Sequence, residues 1–181
     1  VSGEYYNLLT FFPPKTQATQ VIARDIIFII DTSGSMQGRS MEQAKKSLQL
    51  AILQLNNKDS FNIIAFDDDT QSLFPITQMA SDQNINNAQQ FIDDLSADGG
   101  TEMYRPLSNA LLMKKNEQQS AKAIRQIVFI TDGAVTNEFE LMQLLNSAQG
   151  NFRLYTVGIG AAPNGYFMKK AAQFGRGSYV F

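Results

Sequence analysis

The sequence of 181 residues contains no cysteine and no histidine. Without cysteine the chain can form no disulfide and offers no thiolate nucleophile. Without histidine it has no imidazole general base, so a Ser-His-Asp triad cannot form within it. The usual ligands of zinc sites are missing as well. A metal bound by this chain must therefore be held by oxygen atoms, which favours Mg²⁺, Ca²⁺ or Mn²⁺.

Strong charge and long apolar runs are also missing. The formal net charge is −2, and no basic or acidic block occurs, which argues against binding to nucleic acid or to an anionic membrane surface. No apolar stretch reaches the length of about 20 residues that a membrane-spanning helix needs. The apolar fraction of 44% is ordinary for a globular protein, and the length suits one domain with a full-sized core.

The most informative segment is an apolar run that ends in polar residues. Residues 26–30 read Ile-Ile-Phe-Ile-Ile, and residues 31–35 read Asp-Thr-Ser-Gly-Ser. An unbroken run of branched and aromatic residues is typical of a strand that is buried on both faces, as in a parallel sheet covered by helices. In such sheets ligands bind outside the carboxyl ends of the strands. The sequence therefore places an oxygen-rich loop where this architecture places its sites.

Strand-like and helix-like segments alternate along the rest of the chain. Asp67, Asp68 and Asp69 form a short turn, so the strand after them must run antiparallel to the strand before it. Ser40 and Gln43 resemble a capping box at the start of the first helix. The pattern predicts an α/β fold with a doubly wound, mostly parallel sheet, one antiparallel edge strand and helices on both faces. The predicted strands are Arg24–Ile30, Phe61–Phe66, Gln71–Ile76, Ile127–Ile130, Leu154–Ile159 and, at an edge, Ser178–Phe181.

The first 22 residues differ from the remainder. They carry paired aromatic residues and the prolines Pro13 and Pro14, which favour an extended path. We interpret residues 1–22 as an extended arm or linker from an upstream domain and residues 23–181 as the main domain. An ordered strand packed on the core is the alternative for the first segment.

Five oxygen-bearing side chains follow elements that should meet at one edge of the sheet. Asp31, Ser33 and Ser35 follow the first strand, Thr101 follows a Gly-Gly turn, and Asp132 follows the fourth strand. In a doubly wound sheet the first and fourth strands are neighbours at the topological switch point. Two carboxylates and three hydroxyls at that point would form an oxygen cage suited to Mg²⁺.

These residues resemble the von Willebrand factor type A domain and its metal-ion-dependent adhesion site. The family pattern of Asp-x-Ser-x-Ser, a distant Thr and a distant Asp is intact in this chain. The segments 61–66, 129–134 and 157–160 are most similar to the inter-alpha-trypsin inhibitor heavy chains and to bacterial surface proteins that resemble them. In that branch another domain precedes the A domain, which agrees with a linker over residues 1–22.

The resemblance implies a role for each residue of the site. Ser33 and Ser35 would contact the metal directly, and Thr101 would do so directly or through water. Asp31 and Asp132 would hold coordinated waters and balance charge. The implied ion is Mg²⁺, with Mn²⁺ or Ca²⁺ as alternatives. The implied partner is a protein or extracellular-matrix ligand that offers an Asp or Glu carboxylate, and we expect a monomeric module that is extracellular or at the cell surface.

Two other functions are weighed against adhesion. The same site could dock an acidic residue within a cytosolic assembly, as A domains of chelatase-type complexes do. Alternatively, a carboxylate after the first strand resembles the nucleophile of Mg²⁺-dependent phosphotransferases, but that pattern is Asp-x-Asp-x-Thr, and position 33 here is serine. We therefore expect a binding module and not an enzyme.

Overall fold

The computed structural model describes residues 22–120, 123–132, 137–148, 152–160 and 163–181. The predicted arm, residues 1–22, lies outside the described residues apart from the exposed Ile22. The strands are β1 (Arg24–Asp31), β2 (Ser60–Phe66), β3 (Thr70–Ser72), β4 (Gln78–Met79), β5 (Ile124–Thr131), β6 (Phe152–Gly158) and β7 (Tyr179–Val180). The helices are α1 (Arg39–Leu53), α2 (Asp82–Asp94), α3 (Tyr104–Leu112), α4 (Glu138–Ser147) and α5 (Gly165–Phe174).

The strands form one mostly parallel sheet in the order β3-β2-β1-β5-β6-β7. Strands β1, β2, β5, β6 and β7 pair in parallel, whereas β3 and β4 pair antiparallel with β2. The predicted α/β fold is confirmed. The chain runs from β1 outward to β2 and then crosses to β5 on the other side of β1. The crevice between β1 and β5 is thus the topological switch point, where such sheets place their ligands.

The apolar run of β1 supplies side chains to both faces of the sheet. Ile26, Phe28 and Ile30 lie on the side of α1 and α2, whereas Ile27 and Ile29 lie on the side of α3, α4 and α5. All five are buried, as a strand covered on both faces requires. The central strand is therefore held rigidly by two cores, and its last residue, Asp31, has a fixed position.

Two local predictions differ from the structure. Helix α1 begins at Arg39 after Gly38, whose φ of 72° suits glycine, so Ser40 lies inside the helix and is not its cap. The predicted strand Gln71–Ile76 is shorter at Thr70–Ser72, and a second short antiparallel strand follows at Gln78–Met79. Pro75 explains the interruption, because proline has no N–H to donate to β2.

None of the helices in the described residues is long and apolar enough to cross a lipid bilayer.

Candidate metal-binding site

Asp31 is the last residue of β1, and its side chain is fully buried. One carboxylate oxygen, Oδ1, accepts a hydrogen bond from the backbone N–H of Ser33 at 2.9 Å. The other oxygen, Oδ2, accepts one from the hydroxyl of Thr131 at 2.6 Å. Thr131 ends β5, the neighbouring strand, so the carboxylate connects the two strands that border the crevice.

The surroundings of Asp31 are unfavourable to an isolated negative charge. Burial raises the pKa of the Asp31 carboxyl, hydrogen bonds from Ser33 and Thr131 act in the opposite direction, and the nearby charge of Asp132 raises the pKa further. In the described part of the chain, Asp31 takes part in neither of the ion pairs, which join Arg24 to Asp59 and Arg125 to Asp25. The pair Asp31 and Asp132 thus sets up a negative potential that a bound cation would relieve.

Two serine hydroxyls lie beside this carboxylate. Ser33 has extended backbone geometry and directly precedes the short 3₁₀ helix Gly34–Met36, which carries Ser35. Their hydroxyl oxygens are 3.1 Å apart. Ser33 is buried and Ser35 is exposed, so the pair reaches from the carboxylate to the solvent. Neutral hydroxyl oxygens in this arrangement are suitable ligands for a hard divalent cation.

The loop that carries Thr101 is joined to the loop after β1 by two main-chain hydrogen bonds. The N–H of Asp98 donates to the carbonyl oxygen of Thr32 at 2.8 Å, and the N–H of Gly34 donates to the carbonyl oxygen of Gly99 at 3.0 Å. Both bonds are made by neighbours of Ser33, so the structure brings the two loops together as predicted. Thr101 is half-buried, two residues beyond Gly99.

Asp132 directly follows Thr131, so it lies at the same edge of the sheet, and its charge acts on Asp31. Residues 133–136, which follow it, lie outside the described residues. Two carboxylates, two adjacent hydroxyls and the threonine loop are therefore assembled at the switch point.

A sequence profile of the von Willebrand factor type A domain matches residues 24–181 of this chain. The chain belongs to this family. The resemblance drawn from the sequence motifs is thereby confirmed, and the profile covers every strand and helix that the structure describes.

Known relatives agree with the assignment to the von Willebrand factor type A family. The bovine inter-alpha-trypsin inhibitor heavy chain H4 is 30% identical over 171 residues, which are 90% of this chain and 18% of that protein. A von Willebrand factor type A structure from Catenulispora acidiphila is 27% identical with a TM-score of 0.75, and the match covers 87% of this chain and 38% of that one. The chain spans less than a fifth of the length of curated relatives such as this heavy chain.

A more distant structure with a similar fold has been solved with a metal ion bound. Proximal thread matrix protein 1 from the mussel byssus is described with a zinc-occupied MIDAS motif. It has a TM-score of 0.65 and 18% identity, covering 87% of this chain and 41% of that chain, and at this identity it demonstrates a shared fold.

The site of this A domain includes groups that the sequence alone did not single out. Thr131 directly follows the predicted strand Ile127–Ile130 and is not among the predicted site residues, but its hydroxyl donates a hydrogen bond to Asp31. Thr32 fixes the loop after β1 from the other side, because its N–H and its hydroxyl both donate to the carbonyl oxygen of Phe66, at 2.7 Å and 2.8 Å. A polar β-branched residue at the end of a buried strand would have been the signal for Thr131.

The three aspartates after β2 form a turn, as predicted. Asp67 N–H donates to the carbonyl oxygen of Asp69, and Asp69 N–H donates to the Asp67 carboxylate at 2.8 Å. Across the residues that the structure describes, no three carboxylates lie close enough together to hold a metal ion. A cation site in this A domain therefore needs hydroxyl ligands in addition to carboxylates.

Proposed function

We propose that this A domain is a divalent-cation-dependent binding module. It would hold Mg²⁺ through Ser33, Ser35 and Thr101, with Asp31 and Asp132 balancing the charge. Its partner would be a protein or extracellular-matrix ligand that presents an Asp or Glu side chain. The extracellular or cell-surface location and the monomeric state that we expect from the sequence resemblance are parts of the same proposal.

The observation that carries this proposal is the buried Asp31 carboxylate. It is fully buried, it lies near the negative charge of Asp132, and it forms no ion pair with a basic side chain in the described residues. Burying an unpaired charge costs several kcal/mol, so proteins rarely keep one without a cation partner. A divalent ion beside Ser33 would supply the missing positive charge.

The chemistry of the ligands favours Mg²⁺ as the ion. The available atoms are carboxylate and hydroxyl oxygens, which suit hard cations better than zinc. The mussel byssus protein, which shares the fold and has a zinc-occupied MIDAS motif, supports a divalent ion in this chain as well. Mn²⁺ and Ca²⁺ are the alternatives here. A bound Mg²⁺ offers an exchangeable position to a carboxylate from a partner, because it seldom has all its waters replaced by the protein.

The geometry favours binding over catalysis. An aspartate nucleophile needs an oxygen that can reach a substrate, whereas both oxygens of Asp31 accept hydrogen bonds and the side chain is fully buried. Asp31 is therefore suited to holding the site together. We propose that the chain is not an enzyme.

The test is calorimetric titration of the chain with MgCl₂. We expect the unsubstituted chain to bind one Mg²⁺, and D31A and D132A to lose measurable binding, because each substitution removes a carboxylate from beside the ion. The control is D94A, which removes an exposed carboxylate at the end of α2 and should leave the affinity unchanged.

Undiminished Mg²⁺ affinity in both D31A and D132A would refute the site. Partner binding is tested separately, with an immobilised peptide library in which one Asp or Glu is varied. Retention of peptides should require Mg²⁺, should be lost in EDTA and should be lost when the acidic residue is replaced by its amide. Cation-independent retention would refute the adhesive part of the proposal.

A further inference from the structure

The loop that carries Thr101 is also held by the turn that follows β2. The backbone N–H of Gly100 donates to the carboxylate oxygen Oδ2 of Asp68 at 2.8 Å. The N–H of Glu102 donates to the carbonyl oxygen of Asp67 at 2.8 Å. Both residues that flank Thr101 are therefore fixed to the turn between β2 and β3.

The packing between Asp68 and the two glycines is tight. A methyl group added at Gly100 would overlap the Asp68 carboxylate, and one added at Gly99 would come within 3.0 Å of it. Gly99 also has a φ of 86°, which other residues rarely adopt. The absence of side chains at Gly99 and Gly100 thus allows the exposed Asp68 side chain to come close enough to hydrogen-bond to the backbone of this turn.

These contacts place the threonine loop between two anchors. The carbonyl oxygen of Gly99 accepts from the N–H of Gly34, next to Ser33. The carboxylate of Asp68 accepts from the N–H of Gly100. Because Thr101 follows directly, its distance from the serine pair depends on both anchors.

We propose that Asp68 is a positioning residue for the metal site. Its carboxylate fixes the Gly99–Gly100 turn and thereby sets the place of Thr101, without contacting the ion itself. This inference rests on the proposed function, since it assigns Asp68 a role in the affinity of the same cation site. Residues that orient metal ligands usually contribute about 10- to 100-fold to metal affinity.

The first experiment compares Mg²⁺ affinity in D68A and D69A by calorimetry. Asp69 is a matched control, because its exposed side chain lies in the same turn and its removal changes the net charge by the same amount. The hydrogen bonds that the structure records between Asp69 and the rest of the turn use the main chain of Asp69. We expect D68A to weaken Mg²⁺ binding about tenfold and D69A to change it less than about twofold. The Mg²⁺ affinity of D68N should lie between those of D68A and D69A, since the amide oxygen of the asparagine can still accept a hydrogen bond from the N–H of Gly100.

The second experiment shows whether Asp68 acts through Thr101. In the T101A background, D68A should change Mg²⁺ affinity by less than about twofold, because the group that it positions is gone. A merely structural role would weaken binding equally in both backgrounds. Amide hydrogen exchange without metal provides an independent measurement, in which Gly100 should lose protection in D68A and keep it in D69A.

The outcomes separate the two proposals. If the unsubstituted chain binds no Mg²⁺, both the proposed function and the role of Asp68 in metal affinity are refuted. If the chain binds Mg²⁺ but D68A and D69A weaken it equally, the effect is one of charge and the positioning role alone is refuted. Full Gly100 protection in D68A would also refute it.

Discussion

Thr131 contributes a single hydroxyl to the site, and the burial of Asp31 makes that hydroxyl important. Replacing Thr131 with valine keeps the β-branched shape in β5 but leaves Asp31 Oδ2 without its donor at 2.6 Å. We expect T131V to lower the free energy of unfolding by about 1.5–3 kcal/mol, as for a hydrogen bond to a charged group. We also expect Mg²⁺ affinity to fall about tenfold. Urea denaturation and calorimetry measure the two effects.

The matched control for T131V is T156V, on the adjacent strand β6. Thr156 is also buried, and its hydroxyl donates to a neutral acceptor, the carbonyl oxygen of Met168. T156V should cost about 1 kcal/mol, in keeping with a neutral hydrogen bond, and should leave Mg²⁺ affinity unchanged. Equal effects of the two substitutions on metal affinity would contradict a specific role for Thr131.

Among the secondary-structure elements, the sequence predicts the position of a strand best where burial alone determines the structure. The apolar runs of β1, β2 and β5 were located within a few residues, because a strand buried on both faces can tolerate few polar side chains. Helix and strand ends were less predictable. The start of α1 depends on the positive φ of Gly38, and a serine-glutamine pair nearby carried a misleading signal.

A buried ion pair connects α3 to the sheet, at the end opposite the proposed metal site. Arg125 Nε donates to Asp25 at 2.8 Å, and its Nη1 donates to the carbonyl oxygens of Ala110 and Met113, at the end of α3. Removing one partner of such a pair leaves an uncompensated buried charge. We expect R125M to lower the free energy of unfolding by about 3–5 kcal/mol, measured by urea denaturation.

The control for R125M is R153M on β6, where the arginine is exposed and donates to the carbonyl oxygen of Arg176. Its cost should be below about 1 kcal/mol. Asp25 and Asp31 lie six residues apart on β1, about 20 Å along the strand, so folded R125M should bind Mg²⁺ within about twofold of the unsubstituted chain. A large loss of affinity would show that α3 transmits strain to the threonine loop.

At the scale of the whole molecule, the site is a consequence of strand order. Asp31 and Thr131 are 100 residues apart in sequence but meet because β1 and β5 are neighbours. The alternation of elements was enough to predict this adjacency. The contact of Asp68 with Gly100 was not predictable, because an exposed aspartate in a turn gives no sequence signal for what its side chain will reach.

The same convergence predicts how Mg²⁺ affects the stability of the entire domain. The proposed ligands come from three separate loops and are together only in the folded chain, so Mg²⁺ should bind the native state alone. Such binding stabilises by about 2.7 kcal/mol at a concentration 100 times Kd. For a domain of this size that corresponds to a rise in Tm of about 5–10 °C.

Thermal unfolding followed by circular dichroism measures this shift, with NaCl at matched ionic strength as the control for screening. Mg²⁺ and Mn²⁺ should raise Tm more than Ca²⁺ does, because a small set of hydroxyl and carboxylate ligands suits the compact octahedral ions better than a larger ion with more ligands. The shift should be absent in D31A. A Tm rise of equal size in D31A, or an equal rise with NaCl, would contradict this prediction. Either result would mean that the cation does not stabilise the domain by binding in the crevice between β1 and β5.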